Sequence, residues 1–150
     1  MRIKKFLLLF VVITGCAAQK EGDFELKDLV SAGYEFEKEG NTNRIDYLYA
    51  DGDFSYRPEE YKLLKRKAEE KRAGLSRKEY ALHSLYIYKK TDIINQHYGE
   101  GKEGLDGHNR DLIAYIRYNA NKMDICYIIE EGNVVYDVVT DQRENFEFEK

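Results

Sequence analysis

Tryptophan is absent from this chain of 150 residues, and proline and cysteine are rare, with one Pro and two Cys. A single proline beside eleven glycines and 13% aromatic residues excludes a collagen-like chain and argues against low-complexity disorder. Charged residues make up 35% of the chain and the mean hydropathy is −0.67, which is too polar for a protein that crosses a membrane several times. The length suits one domain with a modest core.

Motifs of catalysis and of metal binding are also missing. The chain has no Gly-x-Ser-x-Gly turn around a nucleophile, no phosphate-binding glycine loop, no Cys-x-x-Cys pair and no His-Glu-x-x-His helix. An acid, a base and glycine cluster only in the segment 106–111, which reads DGHNRD. This segment is interpreted as a polar surface loop, and the alternative is a site for a cation or a catalytic pair. The sequence therefore predicts no enzyme activity, no catalytic or metal site and no cofactor.

The first sixteen residues form an ordered set of three features. Three basic residues precede an apolar run over 6–13, which is too short to span a bilayer, since spanning takes about 20 apolar residues. The tetrapeptide Ile13-Thr14-Gly15-Cys16 ends the set. A positive start, a short apolar run and a cleavage region in this order indicate a secretory signal peptide. The tetrapeptide resembles the lipobox of bacterial lipoproteins.

The resemblance to lipoproteins implies that residues 1–15 are removed as a signal peptide and that Cys16 becomes the acylated N-terminus. Residues 16–22 are then a lipidated tether, and 23–150 form one domain. Two or three acyl chains on Cys16 anchor a protein stably, whereas one chain binds a membrane only marginally. Because Cys16 is alkylated, Cys126 has no partner for a disulfide inside the chain, and its apolar surroundings predict a small buried residue.

The residue after the lipidated cysteine implies a location. Ala17 stands there instead of Asp, which in lipoproteins of organisms with two membranes implies transport to the outer membrane. In an organism with one membrane, the anchor lies in the outer leaflet of the cytoplasmic membrane. Either address is outside the cytoplasm, so nucleic acid is not an expected partner.

Hydrophobic periodicity predicts an α+β fold that begins with a helix and a β-hairpin. The helix is predicted over Phe24–Glu39, capped by Asp23, and the hairpin over Arg44–Tyr56, turning at Asp51-Gly52. Central charged helices are predicted next: one from Pro58 to Gly74, one from Ser76 toward Lys89, and a short one from Thr91 to Gly99.

A three-stranded antiparallel meander packed on helices completes the predicted domain. Its strands are predicted over Leu112–Tyr118, Met123–Glu130 and Val134–Thr140. The short helix ending at Gly99 and the Ala114-Tyr115-Ile116 strand resemble the SmpA/OmlA (BamE-like) small outer-membrane lipoproteins. This resemblance implies an accessory role, without catalysis, in the assembly of outer-membrane β-barrels.

Two surfaces are predicted to bind partners. The first is the basic stripe of the central helix, formed by Lys62, Lys65, Arg66 and Lys67, because nine basic and five acidic residues lie between positions 57 and 79. The alternative for this stripe is a solvated face with pairs such as Lys65 and Glu69 one helical turn apart.

The second surface belongs to the meander, where neither face of the strands is polar. One face is expected to pack on helices. The other is either covered by the N-terminal half of the domain or binds a partner, with Tyr115 and Ile128 at its centre.

These features together predict a lipid-anchored envelope lipoprotein that acts as a non-enzymatic accessory or binding module, in outer-membrane assembly or maintenance. Its expected partners are the membrane, through the acyl chains on Cys16, and another envelope protein or an anionic lipid surface. The alternative is a surface-exposed lipoprotein that engages host cells, as an adhesin or as an agonist of Toll-like receptors through acylated Cys16.

Overall fold

A computed structural model describes residues 24–29, 33–75, 79–96, 98 and 105–149. Cys16, the predicted signal peptide and the tether lie outside these residues. The described strands are β1 Phe24–Asp28, β2 Tyr34–Lys38, β3 Asn41–Gly52, β4 Leu82–Lys89, β5 Leu112–Asn119, β6 Lys122–Glu130, β7 Asn133–Asp137 and β8 Gln142–Glu147. The α-helix α1 covers Pro58–Ala73, and a 3₁₀ helix covers Asp106–Asp111. No helix within the described ranges is long and apolar enough to cross a membrane.

All eight strands form one sheet in the order β1-β3-β4-β5-β6-β7-β8, and β2 pairs with β3 on the same edge as β1. Only β3 and β4 pair in parallel; every other described pair is antiparallel. A parallel pair requires a crossover connection, and α1 supplies it between β3 and β4. The helix therefore lies across one face of the sheet.

Each face of the sheet carries its own apolar cluster. On the helix side, Leu64 and Ala68 of α1 join Leu48, Ile87 and Ile116 of the strands, all without exposed surface or nearly so. On the other side the strand residues are mostly aromatic and are covered by Leu29, by the segment after β4 and by the C-terminal end of the chain. The buried or half-buried members of this second cluster include Tyr47, Tyr49, Tyr88, Ile94, Leu105 and Phe148. Burial on both faces explains why neither face of the central strands β4 to β6 is uniformly polar.

The predicted N-terminal helix and hairpin are wrong. Residues 24–28 and 34–38 are strands, because both segments hydrogen-bond to the long strand β3. The predicted turn at Asp51-Gly52 is the end of β3, where Gly52 still pairs with Phe24. The chain leaves this point toward α1 instead of reversing, so no hairpin forms.

The predicted helix toward Lys89 is also wrong, because Leu82–Lys89 is strand β4. His83, Leu85 and Ile87 alternate with Ser84 and half-buried or buried tyrosines, and both sets are covered. A strand covered on both faces has no polar alternation, and its spacing of apolar residues then resembles that of a helix.

The short helix predicted from Thr91 to Gly99 is absent from the described part of that segment. Its capping hydrogen bond exists: the Thr91 Oγ1 accepts from the Ile94 N–H at 2.9 Å. The chain continues as bends and not as a helix. The predicted α+β class, with central charged helices and a three-stranded meander, is therefore wrong, since the described chain is mostly one eight-stranded sheet with one α-helix.

Two parts of the sequence prediction are confirmed. Helix α1 begins at Pro58 and ends one residue before Gly74, with acidic residues in its first turn and basic residues in its last. The three predicted strands of the meander exist as β5, β6 and β7, and β4 and β8 extend the meander on either side.

A buried carboxylate ties the start of α1 to the segment before it. The Glu60 side chain has no exposed surface. Its Oε2 accepts hydrogen bonds from the backbone N–H groups of Ser55 at 2.8 Å and Arg57 at 3.1 Å, and its Oε1 accepts one from the Arg57 guanidinium. Two backbone donors that the helix itself cannot satisfy are thereby satisfied.

Replacing this carboxylate should destabilise the fold. Glu60→Ala leaves buried donors without partners, so we expect the free energy of unfolding to fall by about 2 to 4 kcal/mol. Urea unfolding followed by circular dichroism measures this. The neighbouring exposed Glu59→Ala is the matched control and should change stability by less than about 0.5 kcal/mol. Equal losses in the two variants would contradict the assigned role of Glu60.

Candidate functional site

The four basic residues predicted on the central helix fall into two groups. Lys62, Lys65 and Arg66 line a groove of about 370 Å³ between α1 and the turn that joins β7 to β8. Lys67 lies apart from this groove, with its Nζ 5.7 Å from the centroid of the Phe24 ring. The structure thus brings three of the four predicted residues together, and we call this the basic groove.

Aromatic and apolar side chains complete the basic groove. The rings of Tyr61 and Tyr136 lie 5.2 Å apart, and Val138 lies beside them. The Tyr61 hydroxyl donates to the backbone oxygen of Tyr56 at 2.8 Å, and the Tyr136 hydroxyl donates to the Asp141 carboxylate. Cationic groups next to fixed aromatic rings suit a ligand with a negative head and an apolar part.

The three cations of the basic groove form no ion pair with a described carboxylate, although Glu69 and Asp141 also line the groove. Among the described residues, no Asp or Glu oxygen lies within 4.0 Å of the charged nitrogens of Lys62, Lys65 or Arg66. The intrahelical pair of Lys65 with Glu69 is therefore not formed, although Glu69 borders the groove. The described contacts therefore exclude the intrahelical Lys65–Glu69 pair, and a binding role for this face stays a prediction.

The first described residue of the domain packs beside α1. Phe24 is buried and meets the Phe54 ring edge-on at 5.6 Å. Further along β1, Asp28 accepts a hydrogen bond from the Nζ of Lys71 at 2.6 Å. Strand β1 therefore runs along the helix, and the described chain begins next to Lys67 and Lys71 of α1.

Tyr115 and Ile128, predicted at the centre of one surface, lie on opposite faces of the sheet. Ile128 pairs with Ala114 and is fully buried in the cluster on the helix side. Tyr115 is half-buried on the other face, with ring centroids 5.0 Å from Tyr86 and 5.2 Å from Phe148. Because adjacent residues of a strand point to opposite faces, the two side chains form no common surface.

A buried chain of polar groups joins β3, β4 and α1, and sequence reasoning did not find it. The Arg44 guanidinium donates two hydrogen bonds of 2.7 Å to the Asp46 carboxylate. The Asp46 Oδ2 lies 2.7 Å from the His83 Nε2, and the His83 Nδ1 lies 2.8 Å from the Nη1 of Arg72. Asp46 and His83 have almost no exposed surface.

The chemistry of this chain follows from its donors. An arginine only donates, so the Nδ1 of His83 accepts from Arg72, and the Nε2–H of His83 donates to Asp46. Burial raises the pKa of Asp46, but the hydrogen bonds from His83 and Arg44 outweigh burial and lower it to about 2. Both ring nitrogens of His83 form hydrogen bonds, so these buried polar groups hold Arg44 and Arg72 in place.

One part of this set of buried polar contacts could be predicted from the sequence. Arg44 and Asp46 are two residues apart in β3, and this spacing places both side chains on one face of a strand. The predicted helix from Ser76 toward Lys89 would make His83 a helix residue, which conceals its partner Asp46, 37 residues earlier in the sequence. Recognising β4 as a strand would have placed His83 beside β3.

His108 and Cys126, the other titratable residues of interest, contact only their immediate surroundings. His108 and Asp111 lie 3.0 Å apart within the 3₁₀ helix. Cys126 is fully buried, and burial raises the pKa of its thiol to about 12, as expected for a small buried residue. In the described ranges, no group of three or more His, Cys, Asp or Glu is placed to hold a metal ion.

Asp46 should make stability depend on acid pH. Its pKa is lowered from 3.8 to about 2 in the folded chain, so ionised Asp46 stabilises the fold above about pH 4, and this contribution is lost as pH falls toward 2. We expect Asp46→Asn to lower the free energy of unfolding by about 2 kcal/mol at pH 7 and by progressively less below pH 4. Urea unfolding across this pH range measures it, with exposed Asp53→Asn as control; a deficit that stays constant with pH would contradict the assignment.

Comparisons with known proteins identify no family for this chain. No protein-family model, no curated protein and no solved structure matches it.

Proposed function

We propose that this chain is a lipid-anchored envelope lipoprotein that acts as a non-enzymatic binding module and docks its basic groove on an anionic lipid surface. The observation that carries the proposal is the position of the basic groove on the helix beside which the chain enters the domain. We further propose that this binding module is an accessory protein in outer-membrane assembly or maintenance.

The tether limits how far the domain can move from its membrane. Cys16 precedes Phe24 by eight residues, and an extended chain of that length spans at most roughly 28 Å. Acyl chains on Cys16 therefore keep the entry point of the domain close to the headgroups. Because Phe24 lies under Lys67 of α1, the basic helix is held within that distance of the anchoring membrane.

Charge favours the same orientation. The full chain carries a net charge of −4, and removal of residues 1–15 takes away three basic residues and leaves −7, so an anionic membrane repels the domain as a whole and attracts the region around Lys62, Lys65 and Arg66. Such attraction acts over about 8 to 10 Å at ordinary ionic strength. The tether lets the domain come within this distance of the headgroups. Each Lys or Arg near the surface then contributes about 1 kcal/mol to binding, so the three cations together hold the domain on the membrane.

The anchor itself is tested at Cys16. Cys16→Ser removes the thiol that takes the acyl group, so we expect an uncleaved or soluble product that no longer partitions into the detergent phase of Triton X-114. The parent and Cys126→Ala, which alters the buried cysteine, should both partition into detergent. Equal partitioning of Cys16→Ser and parent would contradict the lipoprotein assignment.

The basic groove is tested with vesicles and a chain of residues 17–150, which keeps every described element. We expect this chain to bind vesicles that contain phosphatidylglycerol and to lose binding in pure phosphatidylcholine or high salt. Replacing Lys62, Lys65 and Arg66 by Gln removes about 3 kcal/mol of attraction and should weaken binding more than tenfold in sedimentation assays. The fourth predicted residue, Lys67, is tested by adding Lys67→Gln.

A matched variant separates the groove from net charge. Exposed lysines on other parts of the domain, Lys38, Lys89 and Lys122, are changed to Gln together. This control has the same change in net charge and should retain most of the binding. If both triple variants lose binding equally, or the parent does not bind anionic vesicles at low salt, the proposed docking surface is wrong.

A further inference from the structure

A second groove, of about 630 Å³, lies at the other end of α1, between the helix and the turn that joins β5 to β6. Its described lining includes Glu69, Arg72, Glu79, Tyr80, Tyr118 and Met123. We call it the Arg72 groove. Its volume lies in the range of small-molecule sites, and of the lining named here only Glu69 also borders the basic groove.

Arg72 is fixed in this groove by neutral acceptors. Its guanidinium donates to the His83 Nδ1 at 2.8 Å, to the backbone oxygen of Ala120 and to the Asn121 Oδ1 at 3.3 Å. The guanidinium carbon also lies 4.5 Å from the centroid of the Tyr118 ring. These acceptors are neutral, no described carboxylate is within ion-pair distance, and two of the five N–H donors of an arginine remain for a ligand.

Tyr118 supplies a second unused group. Its side chain is buried, with 3% of the residue exposed, and its hydroxyl has no hydrogen-bond partner among the described residues. Buried hydroxyls in folded proteins nearly always have a partner, and an exception calls for an explanation. Tyr118 lines the groove, and its hydroxyl oxygen has almost no accessible surface, so a ligand bonds to this hydroxyl when the groove opens slightly around the ring.

The carboxylates of the groove decide which ligand fits. Neither Glu69 nor Glu79 forms an ion pair in the part of the chain that the structure describes. Two carboxylates repel a simple anion, and a simple cation leaves the two free N–H donors of Arg72 without an acceptor. A ligand with one ammonium and one carboxylate group meets an opposite charge at each end.

We propose that the Arg72 groove binds a zwitterionic amino acid or short peptide with an apolar side chain. Arg72 takes the carboxylate of the ligand, Glu69 and Glu79 take its ammonium group, and the Tyr118 hydroxyl bonds to one of its polar atoms. Tyr80 and Met123 contact the apolar side chain. Buried His83 holds Arg72 at the position that this recognition needs.

The full chain in detergent is titrated calorimetrically with four compounds. L-leucine carries both charges, leucyl-leucine carries them farther apart, 4-methylpentanoate lacks the ammonium group, and 3-methylbutylamine lacks the carboxylate. We expect saturable binding of leucine or leucyl-leucine, and binding at least tenfold weaker for the two compounds with one charge. The stronger of the first two identifies a free amino acid or a peptide as the ligand.

Two conservative variants test the assigned contacts. Tyr118→Phe removes a hydroxyl that has no partner in the fold, so it should leave the unfolding midpoint unchanged while weakening binding about threefold to tenfold. Glu69→Gln should weaken binding by a similar factor. Tyr127→Phe, on the other face of the sheet, and Glu70→Gln, the next residue on α1, are the matched controls and should bind as the parent does.

The outcomes are distinct from those of the vesicle experiment, which does not involve Arg72. Absence of saturable heat with all four compounds overturns the proposal. Equal binding of leucine and the two compounds with one charge overturns the recognition of two charges. Parent-like binding by both Tyr118→Phe and Glu69→Gln shows that the ligand lies elsewhere and also overturns it.

Discussion

The parallel pairing of β3 with β4 is the constraint on which the rest of this structure depends. Two parallel neighbours cannot be joined by a hairpin, so the chain between them must cross a face of the sheet. Helix α1 makes that crossing and buries Leu64 and Ala68 against the strands. The opposite face is then closed by the segment after β4 and by the C-terminal end, which lets both faces of the central strands be apolar.

The buried chain from Arg44 to Arg72 reinforces this pairing. Asp46 on β3 meets His83 on β4, and His83 meets Arg72 on α1, so one set of hydrogen bonds joins the three elements of the crossover. A shift of β4 by one residue would turn His83 to the other face of the sheet. Asp46 would then be left as a buried carboxylate without the imidazole donor, a costly arrangement. These buried hydrogen bonds therefore favour the observed register of β3 and β4.

Helix α1 also organises the two grooves. Its middle presents Lys62, Lys65 and Arg66 next to Tyr136 and Val138, and its last turn presents Arg72 next to Tyr118. The cations of these grooves have no carboxylate partner among the described residues, whereas Lys71 and Lys27 form ion pairs with Asp28 and Asp51. This division of paired and unpaired cations along one helix and its neighbouring strand supports the binding functions proposed for the two grooves.

The sequence by itself determined those elements whose ends are marked locally. Helix α1 has Pro58 and acidic residues at its start and Gly74 beyond its end, and β5 to β7 are separated by short turns. The cluster of basic residues on α1 is likewise evident from the sequence alone. Strands β1, β2 and β4 were decided only by tertiary structure, because their hydrogen bonds come from partners distant in sequence and because covering both faces removes the polar alternation that identifies a strand. The Asp46–His83–Arg72 contacts and the separation of Tyr115 from Ile128 depend on that pairing and its register, which no local pattern in the sequence contains.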